Sequence, residues 1–318
     1  MPAVAGEDNT IEDRPVLVKE FHSKIYQLIP SLSKNDRLEA SGIQLFQDYY
    51  YIVFDNFSAV AKLHISLDRH HPGNEMISGA KPMEQFEGIT YSPVTRRFYI
   101  VIENIEVEEA GLEKTAASGV ANTPPKALPY YKPKICEYDE HFNFLEAHPV
   151  EHVFPVQNKG LEGLAVVRRH GNEYVLGLCE SAGNDDGNQA ENGMGTLLVL
   201  KKNSDRWLVE RTISLPQSVQ FGDYASVDIH DNDIAVVSQV SSTLWVGRFK
   251  EDSWSFPDEG KIYRFPRSKK NKVKYCNVEG VTWISSDKIA VVSDKRKSID
   301  AGRCKKKDQS IHIFKIPK

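Results

Sequence analysis

The stretch FEGITYSPVTRRFYIVIEN, residues 86–104, decides the fold. A Glu-Gly pair opens a run of alternating apolar and polar residues. Ser92-Pro93 makes a turn, and a second apolar run ends on Glu103 and Asn104. Alternation flanking a polar turn is the signature of a β-hairpin. The hairpin carries acids at its two outer ends and none between them.

The same shape recurs along the chain. ASGIQLFQDYYYIVFDN (40–56), LEGLAVVRRHGNEYVLGLCES (161–181), YASVDIHDNDIAVVSQV (224–240) and VEGVTWISSDKIAVVSDK (278–295) are each a strand, a short polar turn and a second strand. A third strand follows each hairpin, at 60–66, 134–140, 195–202, 243–250 and 310–316. A fourth follows in four units, at 74–78, 144–154, 207–215 and 261–265. The last unit runs out of chain, and VLVKEF (16–21) supplies its missing strand from the other end. Tandem four-stranded antiparallel units closed by a borrowed terminal strand predict an all-β fold, a single β-propeller. Closure leaves no open sheet edges at the junction. Five blades are expected over residues 15–318, with six if a long insertion hides another. Residues 1–14 read as a disordered tail.

In a blade the innermost strand runs down the central channel and the second strand returns. The start of the first and the end of the second therefore share one rim. The position before the glycine is Ser41, Glu87, Glu162, Ala225 and Glu279; the second strands end on Asp55, Glu103, Glu180, Gln239 and Asp294. Converging carboxylates repel unless protonated or neutralised. An all-oxygen ligand set from separate segments suits Ca²⁺ better than Zn²⁺ or Cu²⁺. A network with Lys159, Lys295 or Arg296 would neutralise the ring in another way. A glycine there also has a purely steric reading, because innermost strands crowd one another.

Three long insertions leave from second-strand ends, after Glu103, Glu180 and Asp294, and are expected to cover this site. They offer Tyr130 and Tyr131 as aromatic faces, and Lys295, Arg296 and Lys297 as partners for an anion.

The Glu-Gly hairpins at 86–103 and 161–181 resemble the repeats of the phytase-like esterase and SdiA-regulated propeller families. The five-unit count with Ser, Glu, Glu, Ala and Glu in the inner ring is similar to the calcium-activated nucleotidases (apyrases). That resemblance implies a five-bladed propeller with a central Ca²⁺ that hydrolyses nucleoside diphosphates, and implies Ser41, Glu87, Glu162 and Glu279 as calcium ligands. Ala225 departs from the pattern, with a backbone carbonyl or Ser226 as its substitute. The longer nucleotidase motifs between the strands are absent. The activity expected is Ca²⁺-dependent hydrolysis of a small anionic phosphoester or phosphoanhydride, with Glu103, Glu180 or Asp294 as general base. A lyase or hydrolase on acidic sugars would use the same parts. A binding propeller with a structural cation is the alternative of another class.

The bulk properties bound the rest. The chain has 318 residues, 40% hydrophobic and 10% aromatic, with a formal net charge of −4. It supports a large core and no global nucleic-acid footprint. The opening MPAVAGEDNTIEDRP has no secretory pattern, and no apolar run has membrane-span length. A cytoplasmic monomer is expected, binding neither nucleic acid nor membrane. The cysteines at 136, 179, 276 and 304 lack metal spacing, so neither disulfides nor zinc are expected. HPVEH (148–152) matches a zinc-peptidase pattern but lies on strand-like sequence between prolines. GNDDGNQAENG (183–193) lacks the order of a calcium loop. SKKNKVK (268–274) and KKK (305–307) read as solvated loops, Cys179 as core, and His70 and His71 as surface residues in a blade connection.

Overall fold

A computed structural model describes residues 13–56, 58–78, 85–107, 130–154, 159–180, 195–295, 302 and 304–318, with the side chains of 104–107 and 130 left out. The chain is a five-bladed β-propeller, each blade a four-stranded antiparallel sheet. Blade 1 holds β2 (Ala40–Phe46), β3 (Tyr49–Phe54), β4 (Ala59–His64) and β5 (Glu75–Ser78). Blade 2 holds β6 (Phe86–Ser92), β7 (Arg97–Val107), β8 (Tyr130–Tyr138) and β9 (Phe144–Pro149). Blade 3 holds β10 (Leu161–Arg169), β11 (Asn172–Cys179), β12 (Thr196–Asn203) and β13 (Arg206–Ser214). Blade 4 holds β14 (Ser226–His230), β15 (Asp233–Ser238), β16 (Thr243–Arg248) and β17 (Lys261–Arg264). Blade 5 holds β18 (Val278–Ser285), β19 (Lys288–Ser293) and β20 (Ser310–Lys315), and is completed by β1 (Val18–Lys24) from the N-terminal end. Just before β1, Leu17 donates to the Arg264 carbonyl at 3.0 Å and the Pro15 carbonyl accepts from Arg264 at 2.9 Å, so the closing segment also holds blade 4.

The apolar faces of the strands are buried between blades. Val53, Val60, Phe86 and Phe98 fill the space between blades 1 and 2. Leu176, Val236 and Trp245 fill that between blades 3 and 4, and Ile52, Ala290 and Ile311 close the ring between blades 1 and 5. Five such cores replace one central core, which leaves the axis free for polar groups.

Glycine is required where the innermost strands meet. A Cβ on Gly88 would lie 2.8 Å from the Gly163 Cα, and one on Gly163 would lie 2.8 Å from the Val227 nitrogen. Polar side chains clasp neighbouring inner strands: Val166 N–H donates to Thr90 Oγ1 at 3.0 Å, Leu45 N–H to Thr282 Oγ1 at 3.1 Å, and Trp283 N–H to Asp228 Oδ2 at 2.7 Å. These bonds satisfy donors that no strand within the blade can reach.

Three expectations are corrected. Cys276 and Cys304 form a disulfide across a Cα–Cα distance of 5.8 Å, which a spacing argument confined to short motifs does not anticipate. Tyr131 is not on a lid loop: β8 starts at Tyr130, and Tyr131 is buried among Tyr99, Phe154 and Trp207. Its partner across the blade is Phe154, with the Tyr131 N–H donating at 3.1 Å. The closing strand spans 18–24, not 16–21. The tail through residue 12, the greater part of the three insertions, GNDDGNQAENG and Arg296 lie outside the described residues. Among the described residues no helix is long and apolar enough to cross a membrane.

Candidate functional site

Four of the five inner strands begin with an irregularity at the same place. Pairing skips from Ala40 to Gly42, from Phe86 to Ile89, from Leu161 to Gly163 and from Val278 to Gly280. Ser41, Glu87, Glu162 and Glu279 fall in the skipped positions. An extra residue in one strand turns its side chain away from the normal alternation. The second strands end beside them, because Asp55, Glu180 and Asp294 donate their backbone N–H to the carbonyls of Glu39, Gly160 and Asn277 at 2.9, 3.2 and 2.8 Å. The acids at the two ends of each hairpin therefore meet at one rim.

They line a cavity of about 220 Å³ at the channel mouth. Glu87, Glu162 and Glu279 reach it from the inner strands, and Asp55, Glu180 and Asp294 from the second strands. Glu39, Asp223, Arg37, Lys295, Gln239, Tyr224 and Ala225 complete the wall. Eight carboxylates thus face two cationic side chains there. On the side of blades 2 and 3, one oxygen each of Glu103, Glu162 and Glu180 lie within 4.8 Å of one another. Lys159 Nζ pairs with Glu180 Oε2 at 2.9 Å and offsets part of that charge.

The crowding changes protonation. Burial, then the neighbouring Glu162, Asp55, Glu279 and Glu103, hold the Glu87 carboxyl well above the ordinary carboxylate range. Burial, then Glu103, Glu180 and Asp223, do the same to Glu162. Glu103 is pushed up to about 7 by burial, Glu180 and Asp55, against the pull of Lys159. Burial raises Asp223, although Ser238 Oγ donates to it at 2.5 Å and Val240 N–H at 3.0 Å.

The ring is not symmetric. Ser41 is buried, its hydroxyl donates to the Phe86 carbonyl, and it is no part of the cavity wall, so the expectation of a ligand there is corrected. Glu279 accepts from the Gln239 amide. Blade 4 has no skip, since Ser226 pairs Val237 and the register runs unbroken to His230 and Asp233. Ala225 accordingly brings no polar side chain, and Asp223, two residues upstream, brings the carboxylate instead. Asp223, Glu39 and Arg37 were not picked out in the sequence. No periodic signal marked them, because all three lie before the first residue of β2 or β14.

The other motifs fall elsewhere. His148 lies 3.0 Å from Glu146, with Glu137 and Glu146 held by Arg97 and Lys202 at 2.5–2.7 Å. His152 packs on the Phe154 ring instead, so HPVEH does not bring its two histidines to one centre. His71 stacks on His64 with ring centroids 3.7 Å apart, and neither His70 nor His71 belongs to the cavity wall. Cys179 is buried and its thiol is pushed up to about 12 by burial and Glu162, which keeps it unreactive.

The group formed by Glu103, Glu162 and Glu180 beside the cavity has the spacing of a hard-cation site. Calcium–oxygen distances of about 2.3–2.6 Å allow ligand oxygens on opposite sides of one ion to stand about 5 Å apart. The oxygens of Glu103, Glu162 and Glu180 meet that limit, and burial together with neighbouring carboxylates raises the proton affinity of Glu103 and Glu162.

No family model and no curated relative matches the sequence. Solved structures match over nearly the whole chain. Glutaminyl cyclase of Myxococcus xanthus has 8% identity over 96% of this chain and 99% of its own, with a TM-score of 0.50. A luciferin-regenerating enzyme has 11% identity over 93% and 95%, with a TM-score of 0.46. The PQQ-bound aldose sugar dehydrogenase of Streptomyces coelicolor has 9% identity over 92% and 98%, with a TM-score of 0.45. At these identities the likeness is one of fold: this chain is a β-propeller, and enzymes are among the solved proteins similar to it.

Proposed function

We propose that the channel mouth holds Ca²⁺ on Glu103, Glu162 and Glu180, and that the chain is a cation-dependent hydrolase of a small anionic substrate, phosphoesters and phosphoanhydrides first. The observation that carries this reading is the meeting of those three carboxylates within 4.8 Å. When bound, the cation supplies attraction and polarisation of an anionic group. Arg37 and Lys295 stand at the same wall and favour approach of an anion. Glu87, whose proton affinity is raised by burial and then by the neighbouring carboxylates, is the group that would donate a hydrogen bond to a substrate oxygen. Asp294 and Asp55 are placed to receive a proton from water. Placing Glu103 and Glu180 as ligands leaves Asp294, of the three bases first expected, for that role. A cavity of about 220 Å³ is smaller than drug-sized ligand sites and limits any substrate group that enters it to a compact one.

A binding propeller with a structural cation is the second reading. It is favoured by the links already present across the mouth, Gln239 to Glu279 and Lys159 to Glu180. Elemental analysis with thermal melts in Ca²⁺ and in chelator tests the ion. Turnover of nucleoside diphosphates, phosphate monoesters and uronides, in the native chain and in Glu162→Gln, tests the reaction. Bound metal and a melting shift without turnover select the structural reading. Neither metal nor shift ends both.

A further inference from the structure

Two basic stretches far apart in the sequence are cross-linked into one place. Lys274 lies two residues before Cys276 and Lys307 three residues after Cys304, and the disulfide joins those cysteines. Lys307 Nζ sits 5.5 Å over the ring of Tyr275, the residue next to Lys274. The closing strand adds a third contribution. In β1 the pairing skips between Lys19 and Phe21, so Lys19, His22 and Lys24 stand opposite Phe314, His312 and Ser310 of β20. Directly opposed residues share a sheet face. That face meets the tyrosine as well: His312 and Phe314 lie 5.1 and 5.3 Å from Tyr275. Lys24 Nζ donates to the Lys305 carbonyl at 3.0 Å, tying β1 to the turn that carries Lys307.

The charge there is one-sided. Lys24 is neutralised by Asp308 at 2.5 Å. Among the described residues no ion pair reaches Lys19, Lys274 or Lys307. Lys307 is half-buried, and burial followed by Lys19, Lys274 and Lys24 pulls its ammonium down to about 8. Cations held together in this way are relieved by an anion, and ammonium groups serve phosphate oxygens as point charges with several donors.

We propose that the basic surface where the disulfide-linked segments meet β1 is an anion site, separate from the channel mouth, that takes a compact phosphate-class anion on Lys19, Lys274 and Lys307. The site is independent of the function assigned to the mouth. Tyr275 underlies Lys307, the disulfide ties the segments that carry Lys274 and Lys307, and Lys19 belongs to the adjoining edge strand.

The test is titration of the full chain with inorganic phosphate and pyrophosphate by calorimetry, at low ionic strength and in chelator, so that no cation at the mouth contributes. Saturable binding is expected, weakened about tenfold by Lys274→Gln and again by Lys307→Gln, which is about 1.4 kcal/mol each. Lys288→Gln, which breaks an exposed pair with Glu20, leaves binding unchanged. Melting curves of each variant confirm that the fold is kept. A parallel arm uses phosphatidylcholine vesicles with and without phosphatidic acid. Binding of free pyrophosphate identifies a soluble ligand. Binding of the phosphatidic acid vesicles alone, lost in the same variants, assigns the anion to a lipid headgroup. Absence of both, or binding retained in the Lys274→Gln, Lys307→Gln double variant, overturns the proposal.

Discussion

Blade 3 and blade 4 stand side by side and solve the same rim differently. Blade 3 keeps the Glu-Gly pair, skips a residue in its pairing and turns Glu162 into the mouth. Blade 4 has Ala225-Ser226, pairs without a skip, and delivers Asp223 from the approach to the strand. The skipped residue and the glycine go together for a steric reason. Gly163 lies against Ser226 and Val227, where an added Cβ has no room. Blade 4 follows the unbroken register, and Ser226 keeps its side chain and accepts from Val281 N–H at 3.3 Å. The rim therefore demands a carboxylate from each side more strictly than it demands one sequence position.

The comparison can be broken by removing the acid it turns on. Glu162→Gln is expected to lower cation-dependent turnover about 10²–10⁴-fold, the range of a lost catalytic proton or charge, with the fold intact. Steady-state rates with and without Ca²⁺, beside circular dichroism, check it. Unchanged turnover in a correctly folded variant would move the chemistry away from blade 3.

The steric half is tested by Gly163→Ala against Ser226→Ala. The first forces two inner strands apart and is expected to cost about 1–3 kcal/mol in denaturant unfolding. The second loses one hydrogen bond of long geometry and is expected to cost about 0.5–1.5 kcal/mol. Equal costs would remove the close approach as the reason for the glycine.

Proton and cation compete for the blade 2–3 cluster. Glu103 ionises at about 7 in the folded chain, against an ordinary value of 4.5. Between those values the folded state holds the extra proton, so stability without metal is greater at the acid end and falls as pH rises through the window. Glu87 and Glu162 shift in the same direction and add to that loss. Melts from pH 5 to pH 8 in chelator should show that decline as the difference between the native chain and Glu103→Gln, because His312, His22 and His152, whose proton affinity burial lowers, add the opposite slope in both chains, and Ca²⁺ should reduce the difference. Parallel pH profiles in the two chains would contradict the raised proton affinity of Glu103.

The smallest change is Asp223→Asn. It keeps an acceptor for Ser238 and removes one charge from beside Glu162 and Glu180. Ca²⁺ affinity is expected to fall about tenfold, or about 1.4 kcal/mol, by calorimetry. No change in affinity would make Asp223 a brace for the Ser238–Val240 turn alone.

The five hairpins were legible because strand alternation and the Glu-Gly punctuation repeat in the chain itself. The closing strand was legible because the last unit lacked one. Glu87, Glu162 and Glu279, with Asp55, Glu180 and Asp294, were legible as rim residues for the same reason. Ser41 was misplaced because a hydroxyl is short enough to turn to the adjacent Phe86 carbonyl, a partner supplied by the next blade. Tyr131 was misplaced because β7 and β8 extend beyond their apolar runs, and pairing across Ile105–Lys132 sustains them.

The sequence alone determined the repeat and the face on which the acids gather, since each depends on local periodicity, while the structure decided for five blades over six. Tertiary structure decided which carboxylates meet. That choice depends on where strand pairing skips a residue and on how closely neighbouring blades approach, and both are set by contacts between segments distant in the chain. The same holds for the disulfide, which brings Lys274 to Lys307 across a sequence separation of 28 between its cysteines.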